Sequence, residues 1–443
     1  LEKTFYIVNL GCSKNQVDGE TVLALMEQKG WKYTPLEDAE VVIINTCGFI
    51  NDAKEESINT ILNCRSSYPD KIVIAAGCLA QRYGKELSDE MTEADGFVGN
   101  RDLYSIPDAV EKIVRGKTRL ISPAKPSPDC FVERRTLFTF PRSTYIKIAE
   151  GCNNNCTYCA IPLIRGQLRS IPADIIMEEI RSFVEKGFFE INLVSQDLAS
   201  WGTDIGQDLI YLLKRICRLK GDFRIRLLYM HPDKFNPGIL PIFKKESRLI
   251  PYFDIPFQHA SEPILKAMGR KGNKDKYLKL VSSVREALPD SVIRSTMMLG
   301  FPGEKDEDFQ CLMEFLKKAE LDWCGFFTYS REEGTKAFSL KGKVPIAEAG
   351  LRKEQAQELQ NRITEKRLES YVGKEIEVLV EEIIAEEEIA LGRGYMNAPE
   401  VDGAVILHSG LAADGGVRPG DVVRAKVIKR NNIDLEAVDV RLS

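Results

Sequence analysis

The chain has 443 residues, 44% hydrophobic and 29% charged, with a formal net charge of −5. That length predicts two to four domains at about 100 to 200 residues each, and the balance excludes collagen-like, disordered and membrane classes. No apolar run approaches the ~18 residues of a bilayer span; the longest, about Ile72 to Ala80, is broken by Gly77. Leu1 to Val8 enters a strand-like run without an apolar signal core or a small-residue cleavage site, so a cytoplasmic protein is expected. Eleven cysteines, an odd number, argue for reduced thiols acting as ligands or nucleophiles rather than for a disulfide framework.

From residue 1 to 117 short β-branched runs alternate with amphipathic stretches. Thr4 to Leu10, Glu40 to Thr46 and Lys71 to Ala76 read as buried parallel strands, with helices around Asn15 to Gln28, Asp52 to Cys64 and Gln81 to Met91. This pattern predicts a layered α/β domain with a parallel sheet. Residues 118–141, carrying Pro123, Pro126, Pro128 and Pro141, read as a linker. Residues 142–368 form the second domain. Its strand candidates are Thr144 to Ala149, Glu190 to Ser195, Arg224 to Tyr229, Phe253 to Phe257, Val292 to Leu299 and Trp323 to Thr328, followed by a helix-compatible stretch from Ala347 to Leu368. Six βα units are too few for the closed eight-unit barrel of about 250 residues, so a partial (β/α)6 barrel is expected. In residues 369–443 five short strands between Gly-rich turns predict a small all-β, OB-like barrel.

The densest chemical signal is Gly151-Cys152-Asn153-Asn154-Asn155-Cys156-Thr157-Tyr158-Cys159, directly after the first strand of the second domain. A structural zinc site would close with a fourth Cys or His, but no His is near and the next cysteine is Cys217. Iron–sulfur cubanes normally take four thiolates, so three in one loop leave one iron open to a ligand. A CxxxCxxC loop with an aromatic before its last Cys resembles the radical S-adenosylmethionine enzymes, whose partial (β/α)6 barrel matches the six units. The resemblance implies a 4Fe-4S cluster on Cys152, Cys156 and Cys159, and S-adenosylmethionine cleaved there to a 5′-deoxyadenosyl radical. Residues at strand C-terminal ends are the candidate cofactor shell: Ser195-Gln196-Asp197, His231-Pro232, Gln258-His259 and Gly300 to Glu304, with Arg294 inside the fifth strand. The resemblance places Gln196, Gln258 and Arg294 near the cofactor and Tyr158 near its adenine. Each also has a structural alternative: Gly300 to Glu304 as a tight turn, His259 as a satisfied polar residue, Arg294 as half of a salt bridge.

Cys12, Cys47 and Cys78 each sit just past one of the three N-terminal strands, beside Gly11, Gly48 and Gly77. Parallel strands end on one edge of their sheet, so these cysteines converge despite their distance in sequence. Cys64, Cys130, Cys217, Cys311 and Cys324 share no such position and read as structural. A second three-cysteine group, the radical barrel and a C-terminal barrel in this order resemble the methylthiotransferases across the whole chain. That resemblance implies a second 4Fe-4S cluster on Cys12, Cys47 and Cys78 that supplies or holds sulfur, and a TRAM domain at residues 369–443. A flavodoxin or ferredoxin is the implied electron donor. A two-cluster electron carrier is the alternative from another class, but carriers close their clusters with four ligands.

That family divides between enzymes of tRNA adenosine and one acting on an aspartate of small-subunit ribosomal protein twelve. Residues 369–443 hold eight Lys and Arg against fifteen Asp and Glu, a charge near −7 that suits a basic protein better than a phosphate backbone. Asn9-Leu10-Gly11-Cys12-Ser13-Lys14-Asn15-Gln16-Val17-Asp18 and Gly392-Arg393-Gly394-Tyr395-Met396-Asn397-Ala398-Pro399-Glu400-Val401-Asp402-Gly403 resemble the ribosomal-protein branch. The expected activity is β-methylthiolation of that aspartate. The alternative is tRNA adenosine methylthiolation, in which tRNA is the partner.

Overall fold

The structure, a computed structural model, describes residues 2–122, 125–408 and 416–442; Pro123 of the expected linker lies outside them. The N-terminal domain is a six-stranded parallel sheet of β1 (Thr4–Asn9), β2 (Lys32–Tyr33), β3 (Val41–Thr46), β4 (Ile72–Gly77), β5 (Gly96–Gly99) and β6 (Leu120–Ile121), in the order β2-β1-β3-β4-β5-β6. Helices Ser13–Gln28 and Ile106–Val114 cover one face, packing Leu23, Met26 and Val110 on Ile43 and Ile74. Helices Asn51–Ser67 and Cys78–Glu90 cover the other, with Ile61 and Ala80 against Val42 and Ile44. Burial on both faces explains the near-continuous apolar strands. The sheet's two edges, β2 and β6, have only two residues each, too few for a period-2 signal, and β6 carries the sheet beyond residue 117 into the stretch expected as linker.

The second domain begins with β7 (Ser143–Lys147), a small β8 (Ala149–Glu150) paired with β9 (Arg169–Ser170), and continues through β10 (Glu190–Val194), β11 (Arg224–Leu227), β12 (Leu249–Asp254), β13 (Val292–Leu299) and β14 (Trp323–Thr328). The six long strands are parallel and in sequential order β14-β13-β12-β11-β10-β7, the expected open barrel. One expected strand is displaced: β12 runs Leu249–Asp254 rather than Phe253 to Phe257. Pro251 argues against a strand, but here it lies where the β11–β12 register is irregular, a place that tolerates the missing N–H.

Helix Ile346–Glu369 leads to a closed barrel of β15 (Glu375–Ile384), β16 (Ile389–Arg393), β17 (Val405–His408), β18 (Val422–Asn431) and β19 (Asp434–Asp439). Its Arg393-to-Asp402 segment seals the N-terminal mouth of the larger barrel. Arg393 donates to Glu190 at 2.9 Å and Glu381 at 2.6 Å, Arg226 to the Tyr395 carbonyl at 2.8 Å, and Trp323 Nε1 to the Met396 carbonyl at 2.7 Å. Tyr252 Oη donates to Asp402 at 2.5 Å. Tyr145, Val194, Leu228 and Val292 of the larger barrel share one apolar cluster with Val378, Met396 and Val405 of the smaller. Among the described residues no helix is long and apolar enough to cross a membrane.

Burial alone pushes the Glu190 carboxyl up, but Arg226 and Arg393 outweigh it and hold it at about 2. A carboxyl depressed from 4.5 adds stability that is complete above pH 4.5 and disappears as pH falls towards 2. Denaturant unfolding across that window is therefore expected to show a steeper decline in the wild type than in Glu190→Gln. Arg393→Ala strands Glu381, leaves Glu190 with Arg226 alone, and is expected to cost about 3–5 kcal/mol at pH 7; an unchanged midpoint would refute this account of the seal.

Candidate functional site at the C-terminal mouth

The loop carrying Cys152, Cys156 and Cys159 leaves the C-terminal end of β7 and β8, and its shape is imposed from several sides. Gly151 has φ +68°, and a Cβ there would lie 2.0 Å from the Gln167 carbonyl oxygen, so only glycine fits. Cys152 N donates to the Gly166 carbonyl at 3.2 Å, and Thr157 donates through N to Met268 O at 3.0 Å and through Oγ1 to Ala267 O at 2.8 Å. Asp197, buried past the end of β10, is the main clamp. It accepts from Asn154 Nδ2 at 2.7 Å, Ser200 Oγ at 2.5 Å, His231 N at 3.1 Å and Ala199 N at 3.1 Å. One carboxylate thus ties the cysteine loop to the ends of β10 and β11.

The three thiols are free and partly accessible. Burial pushes Cys152 up to about 11 and Cys159 up to about 12, so both need a cation at sulfur to become thiolates. His231 Nε2 lies 3.9 Å from Cys156 Sγ; its ring, held at about 3 by burial and by Arg270 and Lys234, is neutral.

Cys12, Cys47 and Cys78 meet where the strand order of the N-terminal sheet reverses, between β1 and its neighbour β3, the crevice where open α/β sheets take ligands. A Cβ on Gly11, φ +88°, would lie 2.8 Å from Cys47 Cβ. Cys12 precedes helix Ser13–Gln28 and Cys78 opens helix Cys78–Glu90. Burial pushes the Cys12 thiol up, but Lys14 and Arg165 and the amides of Asn15 and Lys14 outweigh it and leave it lowered. Cys47 is pushed up to about 12 by burial and by Cys78. Cys78 Sγ accepts from Asn100 Nδ2 and Arg165 Nη2, each at 3.3 Å.

Arg165 lies six residues past Cys159, so the two cysteine groups face one another across a short segment of chain. Ala160 and Ile164 of that segment pack on Cys78. Arg165 pairs with Asp18 at 2.8 Å and Glu150 at 3.1 Å, and Lys147 pairs with the same two carboxylates. Arg82 and Lys54 meet Glu332, past β14, at 2.8 and 3.1 Å. No three Cys, His, Asp or Glu side chains among the described residues converge tightly enough for a single metal ion. A four-iron cluster has a less compact requirement, since it takes one thiolate per iron.

The other sequence candidates divide. Gln196 stands at the mouth with both amide atoms buried and unpartnered, a donor and acceptor awaiting a ligand. Tyr158 Oη accepts from Arg270 at 3.1 and 3.3 Å, and its ring meets Phe301 edge-on. Gln258 has φ +70° and bridges Thr296 O and Met298 N through its backbone. Arg294 sits near the beginning of β13, paired with Asp254 at 3.3 Å and with Asp402 of the small barrel at 3.4 Å, which is its salt-bridge alternative. Glu304 accepts from Gly300 N at 2.8 Å and from Arg352 at 2.8 Å, so Gly300 to Glu304 is a braced turn. Sequence reasoning did not single out Arg165 or Arg270; no local pattern marks either, because their partners lie far away in the chain.

Residues 146–316 match the Radical SAM superfamily, residues 372–440 the TRAM domain, and residues 4–99 a family described as "Uncharacterized protein family UPF0004". The cobalamin-binding radical S-adenosylmethionine methyltransferase TsrM from Kitasatospora setae shares the fold, with a TM-score of 0.58 over 76% of this chain and 77% of its own at 13% identity. The class is thus a radical S-adenosylmethionine enzyme, with the 4Fe-4S cluster and S-adenosylmethionine that define it. A relative from Treponema denticola named ribosomal protein uS12 methylthiotransferase RimO is 47% identical over 97% of this chain and 99% of its own. One of the same name from Thermodesulfovibrio yellowstonii is 38% identical over 99% and 100%. The chain belongs to the RimO methylthiotransferase family.

Asp197→Ala removes four hydrogen bonds, one from Asn154 of the cysteine loop and three that hold the ends of β10 and β11 beside it. Its expected outcome is an unchanged far-UV spectrum with a clear loss of iron after anaerobic reconstitution; wild-type iron content would show that the loop holds its shape without this clamp.

Proposed function

We propose that this chain adds a methylthio group to the β-carbon of an aspartate in small-subunit ribosomal protein uS12, in the cytoplasm, with electrons from a flavodoxin or ferredoxin. The observation that carries this reading is the meeting of two groups of three free cysteines, one from the sheet and one from the barrel, at a single mouth. In it Cys152, Cys156 and Cys159 hold the radical-generating cluster and Cys12, Cys47 and Cys78 a second one that supplies or holds sulfur. The donor sets fit: all six are free thiols, each group is too open for one ion, and three protein ligands leave one iron open.

When bound, the barrel cluster and S-adenosylmethionine supply the carbon radical that an unactivated C–H bond requires. The chain's own residues bind and orient. Gln196 offers its amide to the cofactor, Arg270 fixes the Tyr158 hydroxyl, and Asp197 prevents the loop from shifting. Burial raises the Cys78 thiol, and the charge of Arg165 offsets part of that rise, with Asn100 donating to the same sulfur.

The choice of protein over RNA is supported by the names of the relatives and by the charge pattern of the TRAM domain. The basic strand β18 pairs with acidic β15 in a register that sets Glu375 opposite Lys426 and Glu377 opposite Arg424. Arg424 meets Glu375 at 3.7 Å, Lys429 meets Glu436 at 3.1 Å and Arg430 meets Glu369 at 3.3 Å. A stripe neutralised in this way offers phosphates little.

Reconstituted protein given S-adenosylmethionine, sulfide, a strong reductant, small ribosomal subunits and bulk tRNA is expected to add a methylthio mass to an aspartate peptide of uS12 alone. A gain on tRNA alone would refute the substrate. Joint substitution of Cys12, Cys47 and Cys78 by Ala is expected to preserve cofactor cleavage and abolish sulfur insertion. Loss of both with the barrel cluster intact would refute the division of labour.

A further inference from the structure

The β-carbon of an aspartate is bonded directly to its carboxylate, so the group that holds the carboxylate aims the reacting carbon. Most cations at the mouth are already engaged. Arg165 and Lys147 share Asp18 and Glu150, and Arg82 and Lys54 share Glu332. Arg270 donates to Tyr158 Oη and the Pro256 carbonyl.

Lys14 is different. It lies two residues past Cys12 on the first turn of helix Ser13–Gln28 and is only 9% exposed. Among the described residues its Nζ has no carboxylate; its contact is the face of Tyr229, 3.6 Å from the ring centroid. Tyr229 follows β11 with φ +66°, a rare conformation for a bulky residue. Its N–H donates to Asp254 Oδ2 at 3.2 Å and its carbonyl accepts from Leu198 N at 2.9 Å. The backbone therefore sets the ring, and the ring receives an ammonium that the N-terminal domain extends towards the barrel. A ring face attracts the charge but leaves the N–H donors without acceptors of their own. Its charge already lowers the Cys12 thiol, but a largely buried ammonium without a carboxylate keeps donors to spare, and an arriving carboxylate accepts from them.

We propose that Lys14 is the carboxylate-binding residue for the substrate aspartate, with Tyr229 as the platform that orients its ammonium. The Nζ–H groups donate to the carboxylate oxygens, and the β-carbon is thereby held beside Cys12. This inference rests on the proposed aspartate substrate.

The test uses full-length reconstituted wild type and Lys14→Met, each titrated with uS12 carrying either its target aspartate or asparagine in that place. Wild type is expected to bind the aspartate form about ten- to a hundredfold more tightly, the range for a hydrogen bond to a charged group. Lys14→Met is expected to bind both forms alike, with cofactor cleavage at the barrel cysteines unchanged. Lys14→Gln replaces it in the same comparison if the methionine variant does not fold. An aspartate preference that survives in the variant overturns the proposal. So does a selective loss of iron, which would make Lys14 a residue of the cluster rather than of the substrate. Wild type that neither binds nor modifies the aspartate form would instead refute the proposed function.

Discussion

Four buried charges, Asp18, Lys147, Glu150 and Arg165, join the N-terminal domain to the barrel, and the geometry of the mouth depends on them. Two cations and two anions sum to zero, so the group tolerates burial only when complete. Such a cluster is not more stabilising than a good apolar contact of the same size. Its effect is registry: an apolar interface can slide by a residue at small cost, whereas removing any member here leaves a charge uncompensated. The Arg165 fork then has an N–H left for Cys78, and in this way the charges that dock two domains also set one cysteine group against the other.

The barrel between them is open along one side but covered at both ends. At its N-terminal mouth the TRAM domain contributes carboxylates, carbonyls and apolar side chains that complete the interior core, occupying Arg226, Arg294 and Trp323. At its C-terminal mouth the interior is polar and partly unsatisfied, with Gln196 unpartnered and Lys14 on a ring face. Strand C-termini are where barrels of this kind carry their chemistry. Stability and reactivity are thus divided between the two ends of the same six strands.

Much of this was legible in the chain. The strands β13 and β14 match expectation to the residue because each is a strongly patterned run bounded by polar or glycine turns. The cysteine loop needed no tertiary information, since its three thiols lie within eight residues of one another. What was missed follows from weak local signal or remote partners. β2 and β6 are too short to show a period. Pro251 disguised β12, because the irregular register that accommodates it belongs to the neighbouring strand. Arg294 was expected at the cofactor, but its partner Asp402 is more than a hundred residues away in another domain.

The chain alone therefore determined the order of domains, the parallel sheet and partial barrel, and the placement of six cysteines just past strand ends, because periodicity and turn chemistry act over a few residues. It could not determine which cations are left without an anion. Ion pairing is decided by side chains that meet only after the domains dock, as Arg165 meets Asp18 and Arg393 meets Glu190. Only the tertiary structure separates the arginines that hold the molecule together from Lys14, which is buried at the mouth and among the described residues pairs with no carboxylate.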